Sequence, residues 1–471
     1  MQREKFTSRM GFIFVTAACA IGLGNIWLLP YRVGEFGGSV YLLMFIFFYI
    51  VMGMPALFCE LAVGRGSQQT IITGHKIIRP DKPGWAVHGW MGLIGSYLLI
   101  MFYTTVVGFT FAYLWKAITN QIAGLASEEA FSALAANPVT AVGWTWAVLL
   151  ISFIVCFLGL RKGVERFSKI IMSSFLVLLI ILTIRSLTLP GAMEGLGFMF
   201  IPRWTEVIEK HGLPRLLHQS LGQAFFSLSV GIGGMQVFGS YLKKDRTIAK
   251  DVVPIGFADL TVSLLCLLLI LPAAKAFNID VTLGARLLFV VMPDLLNAMP
   301  VTAFWAILLY LCFFFIAIST LFTIFEGLVA GIMDKSGLSR KKSTIINFLA
   351  LLVLTLPAAL SQSGGILSNF KILRVKNTAG KVLLQGDTFA QLFPFLVSDF
   401  ILPIGATMYM VFCSRKAGWG WDEFIKEVNT GKGWKLPAGW KFYYAYIMPC
   451  SAILVWAFGM FWKFIRPLIA G

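Results

Sequence analysis

Two long apolar stretches are interrupted by glycine at their middles, as Ala20-Ile21-Gly22-Leu23-Gly24-Asn25 and as Ser227-Leu228-Ser229-Val230-Gly231-Ile232-Gly233-Gly234. Hydrocarbon holds no water to satisfy a free backbone N–H or C=O. A spanning helix can therefore unwind only where protein or a polar cavity receives those groups. The interruptions constrain the chain twice: it sits in a bilayer, and it builds a polar site at bilayer depth. Gly-broken spans at corresponding positions of two halves are the sequence pattern of a secondary transporter with a midplane site.

The remainder of the 471 residues agrees. Apolar side chains make up 58% and charged ones 13%, and the mean hydropathy of +0.81 exceeds that of a soluble globule. At about 20 apolar residues per crossing, eleven spans are expected, near 10–33, 39–64, 86–116, 141–160, 165–187, 216–241, 252–277, 300–333, 344–360, 389–413 and 442–466. They predict an all-α integral membrane protein with one transmembrane domain over 1–471 and no soluble domain beside it.

The net charge of +17 does not read as a nucleic-acid footprint, which would gather on one exposed face. It falls instead in short loops. Arg3, Lys5 and Arg9 precede the first span, and basic clusters recur at 65–82, 161–169, 243–250, 335–342 and 415–441, so that 25 of the 39 Lys and Arg share the side of the N-terminus. The positive-inside rule makes that side cytoplasmic, and eleven crossings put the C-terminus outside. The expected location is the inner (plasma) membrane, as a multi-pass protein surrounded by membrane lipid. Lys371, Arg374, Lys376 and Lys381 run against the bias, in an external polar stretch expected to form a small folded cap.

Seven cysteines are scattered without paired spacing, so neither a disulfide framework nor a zinc site is indicated. Thr16-Ala17-Ala18-Cys19 is similar to a lipoprotein processing site, yet the apolar run continues past it as a span does. His75, His88, His211 and His218 lie in or beside loops, and no metalloprotease, phosphate-loop or nucleophile-elbow motif occurs. The chain is therefore not expected to be an enzyme. Its candidate chemistry lies in the intramembrane polar residues Asn25, Glu60, Asp259, Glu326 and Asp399.

Four pieces occur in order: Gly22-Leu23-Gly24-Asn25-Ile26-Trp27-Leu28-Leu29-Pro30 followed by Gly37-Gly38; Glu60-Leu61-Ala62-Val63-Gly64-Arg65; Gly222-Gln223-Ala224-Phe225-Phe226-Ser227-Leu228-Ser229; and Asp334-Lys335-Ser336-Gly337-Leu338-Ser339-Arg340. With them the chain resembles, over almost its whole length, the neurotransmitter:sodium symporter family, bacterial amino-acid branch, with the leucine-transporter fold. The resemblance implies a 5+5 inverted repeat over about 8–187 and 216–415, unwound helices 1 and 6, and one extra helix at about 442–466. It also implies a sodium-coupled symporter that imports an amino acid by alternating access.

The resemblance further implies a substrate site of Ala20, Gly22, Leu23, Gly24, Leu99, Tyr103, Phe226, Ser227, Ser229, Ile232 and Ile324. Free N–H groups at the break of helix 1 and the Tyr103 hydroxyl would receive the carboxylate. Carbonyls of Ala20, Phe226 and Ser227 with the Ser229 hydroxyl would meet the ammonium. Leu99, Phe226, Ile232 and Ile324 would wall an apolar side-chain pocket. The family's amine carriers hold an aspartate where this chain has Gly22, so the site expects an intact substrate carboxylate.

Sodium is a hard cation that takes oxygen ligands, and unwound carbonyls with hydroxyl or amide oxygens can replace its hydration. By resemblance, sodium site 1 combines Ala20, Asn25, Ser227 and Asp259 with the substrate carboxylate. Sodium site 2 combines carbonyls of Ala18, Ile21 and Ile316 with the Ser319 and Thr320 hydroxyls. Chloride-dependent relatives carry neutral residues at Asp259 and Ser263 and a tyrosine at Phe45, so transport here is expected to be chloride-independent.

The outer Arg–Asp gate pair of most relatives is replaced by Leu28 and Pro394. Arg32 and Asp399 are displaced away from those positions, and an apolar outer gate is expected. The cytoplasmic gate would pair Arg3 with Asp334, with Phe6 in place of the usual tryptophan and Tyr241 as a brace. Two alternatives remain open at this point: a sensor that binds an amino acid without moving it, and a transporter coupled to protons through Asp259 or Asp399. The sequence carries no signal for oligomeric state.

Overall fold

The computed structural model describes residues 4–278, 287–361, 367, 373–376, 382–386 and 388–462. Its first span is broken: α1 (Arg9–Ala20) and α2 (Gly24–Glu35) meet at a bend of 49°. Nine further helices among the described residues are long and apolar enough to cross a membrane. They are α3 (Ser39–Ser67), α4 (Pro83–Ile118), α5 (Pro138–Phe157), α6 (Leu160–Leu187), α9 (Ala249–Ala276), α10 (Thr302–Ser336), α11 (Arg340–Leu360), α12 (Phe389–Ser414) and α13 (Ala438–Met460). The expected span at 216–241 is two shorter helices, α7 (Leu213–Ser227) and α8 (Gly234–Gly239), separated by an unwound segment.

Local chemistry sets these boundaries. Ser8 caps α1 by accepting the Gly11 N–H, and Asn137 caps α5 by accepting from Val139 and Thr140 just before Pro138. Helix α10 stops at Gly337, which takes φ +70 as a left-handed C-terminal residue. Lipid contact also follows helical spacing. On α3, Leu43, Phe47 and Ile50 are exposed, while Tyr41, Phe45, Phe48 and Tyr49 are buried.

The long α10 packs along α4, which in turn packs on α5, and α9 packs on α6. Helix α1 lies against α6, α9 and α10; α8 lies against α3, and α7 between α3 and α13. The two broken spans are thus enclosed by unbroken helices, as their free backbone groups require. Outside the bundle, β1 (Leu373–Lys376) and β2 (Val382–Gly386) form an antiparallel hairpin with Leu373 opposite Gly386. Arg374 and Lys376 of the expected cap fall in β1, whereas Lys371 and Lys381 lie outside the described residues.

Candidate substrate and ion site

Where the first helix breaks, its backbone donors turn away from the axis. The Gly22 N–H donates to Asn25 Oδ1 at 3.0 Å, the Leu23 N–H to the Tyr103 hydroxyl at 3.3 Å, and the Asn25 N–H to the Gly22 carbonyl at 3.1 Å. In a continuous helix these three amides would serve the carbonyls of Ala18, Cys19 and Ile21. Those carbonyls are therefore released. The Ser229 hydroxyl donates to Cys19 O at 2.9 Å. Ala18 O and Ile21 O stand 3.0 and 2.9 Å from Thr320 Oγ1, with Ile316 O at 3.1 Å. One hydroxyl proton faces three carbonyls, leaving an acceptor-rich cluster suited to a hard cation. Ser319, beside it, donates to Ile316 O at 2.9 Å.

The second break depends on backbone that only some residues tolerate. Gly231 has φ +112, and a Cβ there would lie 2.4 Å from the Leu402 carbonyl, so conformation and space both demand glycine. The released donors of this segment converge on Glu60, which is fully buried. Its Oε2 accepts from Gly231 at 2.7 Å, and its Oε1 from Met235 at 2.9 Å and Gln236 at 3.3 Å. Glu60→Ala strands these buried N–H groups, each worth about 1–3 kcal/mol. It is expected to lower the unfolding temperature in detergent by more than about 5 °C, with Glu60→Gln intermediate. An unchanged melting curve would refute the bracing role.

Asn25, Ser227 and Asp259 come together as a third feature. Asn25 Nδ2 donates to Asp259 Oδ1 and to Ser263 Oγ, both at 2.8 Å, and lies 3.4 Å from Ser227 Oγ. Ser227 donates to Asp259 Oδ2 at 2.7 Å. The amide nitrogen, with its partial positive charge, thus occupies the centre of an oxygen cluster around a buried carboxylate. Ser263 joins the cluster as an acceptor, whereas in the sequence it stands out only as a neutral residue at an anion position. Phe45 is buried and packs on Tyr49, whose hydroxyl donates to Gly256 O at 2.7 Å.

A central cavity lies between the two breaks. Ala20, Gly22, Leu23, Gly24, Leu99, Tyr103, Phe226, Ser229, Ile232 and Ile324 line it, together with Asn25 and Thr320. Ser227 alone among the expected substrate residues stands behind the wall, in the Asp259 cluster. Leu402 of α12 also lines the cavity; its apolar context in the sequence carries no signal of that. The Phe226 ring lies against Gly24, where an added Cβ would come within 2.4 Å of it.

Phe226 also borders an outer cavity that includes Leu28, Arg32, Pro394 and Asp399. Both charged residues thus share a cavity with Leu28 and Pro394, where an apolar outer gate is expected. Arg32 Nη1 donates to Gln219 O at 3.1 Å and Gln223 Oε1 at 3.3 Å.

At the end of the bundle where α1 begins, Phe6 packs edge-on against Tyr241 and Phe12. The Tyr241 hydroxyl donates to Glu326 at 2.9 Å, and Glu326 is also paired with Arg340. Asp334 accepts the Thr70 N–H at 2.7 Å. Arg3, the expected partner of Asp334, lies outside the described residues. The segment behind it is tied to the scaffold by Thr7 to Glu165 and by Arg9 to Asp251 at 3.2 Å.

Broken helices that deliver carbonyls and a buried carboxylate to one depth of a multi-pass bundle define a secondary-transporter site. The model of the sodium:neurotransmitter symporter family matches residues 3–136 and 135–466, and the chain belongs to that family. It is 31% identical over 460 residues to the uncharacterized sodium-dependent transporter YhdH of Bacillus subtilis, covering 96% of each chain. It is 27% identical over 300 residues to the mouse sodium-dependent neutral amino acid transporter B(0)AT2, covering 57% of this chain and 40% of that one. The crystal structure of MhsT in complex with L-phenylalanine matches with a TM-score of 0.85 at 30% identity, over 97% of this chain and 100% of that one. The fold is the all-α leucine-transporter fold, a 5+5 inverted repeat with its first and sixth spans broken.

Proposed function

We propose that the chain is a sodium-coupled symporter that imports an amino acid with an apolar side chain, without chloride, by alternating access. The observation that carries the reading is the meeting of three carbonyls, two of them released by the first break, at the Thr320 hydroxyl. Ala18, Ile21, Ile316, Ser319 and Thr320 would hold one sodium ion. Ala20, Asn25, Ser227 and Asp259 would hold another beside the substrate carboxylate. The central cavity would take the amino acid, with Tyr103 and the Leu23 and Gly24 region on its carboxylate and Leu99, Phe226, Ile232 and Ile324 around its side chain. The sodium-dependent and amino-acid-transporting names of the relatives support this assignment.

Repeats 8–187 and 216–415 would rock about this site, with the helix at 442–466 outside the repeats. The basic clusters support a cytoplasmic N-terminus and an external C-terminus in the inner (plasma) membrane. Phe6, Tyr241, Asp334 and Arg3 would form the cytoplasmic latch. Two sodium ions entering with a zwitterion each contribute about 2.3 kcal/mol per 100 mV and about 1.4 kcal/mol per tenfold gradient. The sum of about 7 kcal/mol sets a ceiling near 10⁵-fold accumulation.

The test is uptake of labelled amino acids into proteoliposomes, with a sodium gradient or an equal potassium gradient on parallel samples. Sodium-driven accumulation is expected. Binding without accumulation would replace the symporter by a sensor, and accumulation in potassium under a pH gradient would make the proton the coupling ion.

A further inference from the structure

Adjoining the central cavity, on the side of Gly327 and Gly331, lies an inner cavity of the same size, about 30 Å³ in each. The two share four lining residues: Leu99, Ser229, Ile232 and Ile324. Three of the four walls expected around the substrate's side chain, Leu99, Ile232 and Ile324, are therefore also a partition between the two cavities. Ile232 is the part of this partition carried on the unwound segment, between two residues of positive φ, Gly231 and Gly233.

Along α10, Thr320 and Ile324 face the central cavity, and Ile324, Gly327 and Gly331 face the inner one. Spacings of four, three and four residues put all of them on one face of the helix. Gly327 is not required by packing, since a Cβ there would meet nothing nearer than Val237 at 3.7 Å. Glycine inside a helix is also less favourable than alanine. What its absent side chain leaves is room.

A second observation points to an occupant. Thr70, 1% exposed, lines the inner cavity, and its hydroxyl has no hydrogen-bond partner among the described residues. A buried, unsatisfied hydroxyl is unfavourable, and of the eleven buried side-chain atoms without a partner among the described residues, that of Thr70 is the one that lines this cavity. A guest or its accompanying water bonding there would relieve it.

We propose that the inner cavity is the deep end of the substrate's side-chain subsite. With Ile232 turned aside, the pocket runs along α10 over Gly327 toward Thr70, and it selects amino acids with bulky side chains, aromatic ones included, over small ones. This rests on the amino-acid reading above and names the class of amino acid within it. Gly327 and Ile232 are then specificity determinants, acting through the volume they leave and the partition they form.

The experiment measures sodium-dependent binding of tryptophan, phenylalanine, leucine and alanine to the full chain in lipid nanodiscs, for the wild type, Gly327→Ala and Gly327→Leu. The wild type is expected to bind tryptophan and phenylalanine more tightly than alanine. Gly327→Leu, which fills the channel, is expected to lower the ratio of tryptophan to alanine affinity by about tenfold or more, with Gly327→Ala in between. Equal affinities for large and small amino acids in the wild type would overturn the proposal without any variant. So would an unchanged ratio in Gly327→Leu. Absence of binding by every amino acid would instead remove the amino-acid reading on which the proposal stands.

Discussion

Thr320→Val is expected to abolish sodium-driven uptake, through a rise of about 100-fold or more in the sodium concentration needed for half-maximal transport. Valine keeps the shape of threonine and replaces the hydroxyl by a methyl, so the substitution acts on chemistry more than on packing. Three carbonyl oxygens now stand 2.9–3.1 Å from the hydroxyl oxygen. In Thr320→Val they face carbon, lose the hydroxyl's proton and lose one ligand for a cation. An unreplaced polar contact in a buried site costs about 1–3 kcal/mol, and each 1.4 kcal/mol is tenfold in affinity. Thr320→Ser, which restores the oxygen, should recover most of the sodium response. Ser319→Ala should have the smaller effect, because that hydroxyl is engaged with Ile316 O and stands beside Met172. The measurement is initial uptake rate against sodium concentration in proteoliposomes. Normal sodium activation in Thr320→Val would remove the second sodium site from this position.

The breaks themselves were legible in the sequence because glycine weakens a spanning helix, and a cluster of glycines at mid-span marks backbone that must leave the helix. Their consequences were legible only in part. Glu60 stands out in the sequence as a lone carboxylate in an apolar helix, but that it serves the second break comes from the structure, which brings three backbone N–H groups to it. That Leu402 would reach the central cavity does not follow, since one leucine among many carries no mark of which helix face meets the site. Arg32 and Asp399 show a different limit. Counting residues along two helices separates them, but both residues line one cavity. Rise per residue measures position along an axis; only packing tells how far apart two axes are. Glu326 could be read as a paired carboxylate, yet its partner Arg340 belongs to the next helix across the Gly337 turn.

The orientation of Asn25 links the site to the transport cycle. Its amide oxygen accepts the Gly22 N–H, while its amide nitrogen points among Asp259, Ser263 and Ser227. A cation held there as proposed would need the oxygen instead, so its binding would turn the amide and release the Gly22 N–H. Gly22 lines the central cavity, where a substrate carboxylate would seek a donor. Ion and substrate would then assist one another through one side chain, which is a differential interaction of the kind that selects a state.

Asp259→Asn is expected to weaken sodium activation by about 100-fold and to make the residual uptake respond to chloride. Asp259 is fully buried, and its two oxygens accept from Asn25 and Ser227. Neutral asparagine keeps one acceptor, turns an amide nitrogen toward one of those donors, and removes the fixed negative charge facing a sodium ion and its neighbour. At an effective dielectric constant of about 20, a unit charge at about 4 Å contributes about 4 kcal/mol; part of this is recovered by relaxation, and about 100-fold is the expected remainder. A mobile anion could restore the missing charge, which is why chloride should then stimulate uptake. In the wild type the carboxylate would already fill that role, and replacing chloride by gluconate should leave uptake unchanged. The measurement is uptake against sodium in chloride and in gluconate for both proteins, with melting temperatures to show that each is folded. Strong chloride dependence of the wild type, or full sodium activation of Asp259→Asn in gluconate, would show that the carboxylate supplies neither the ion site nor the compensating charge.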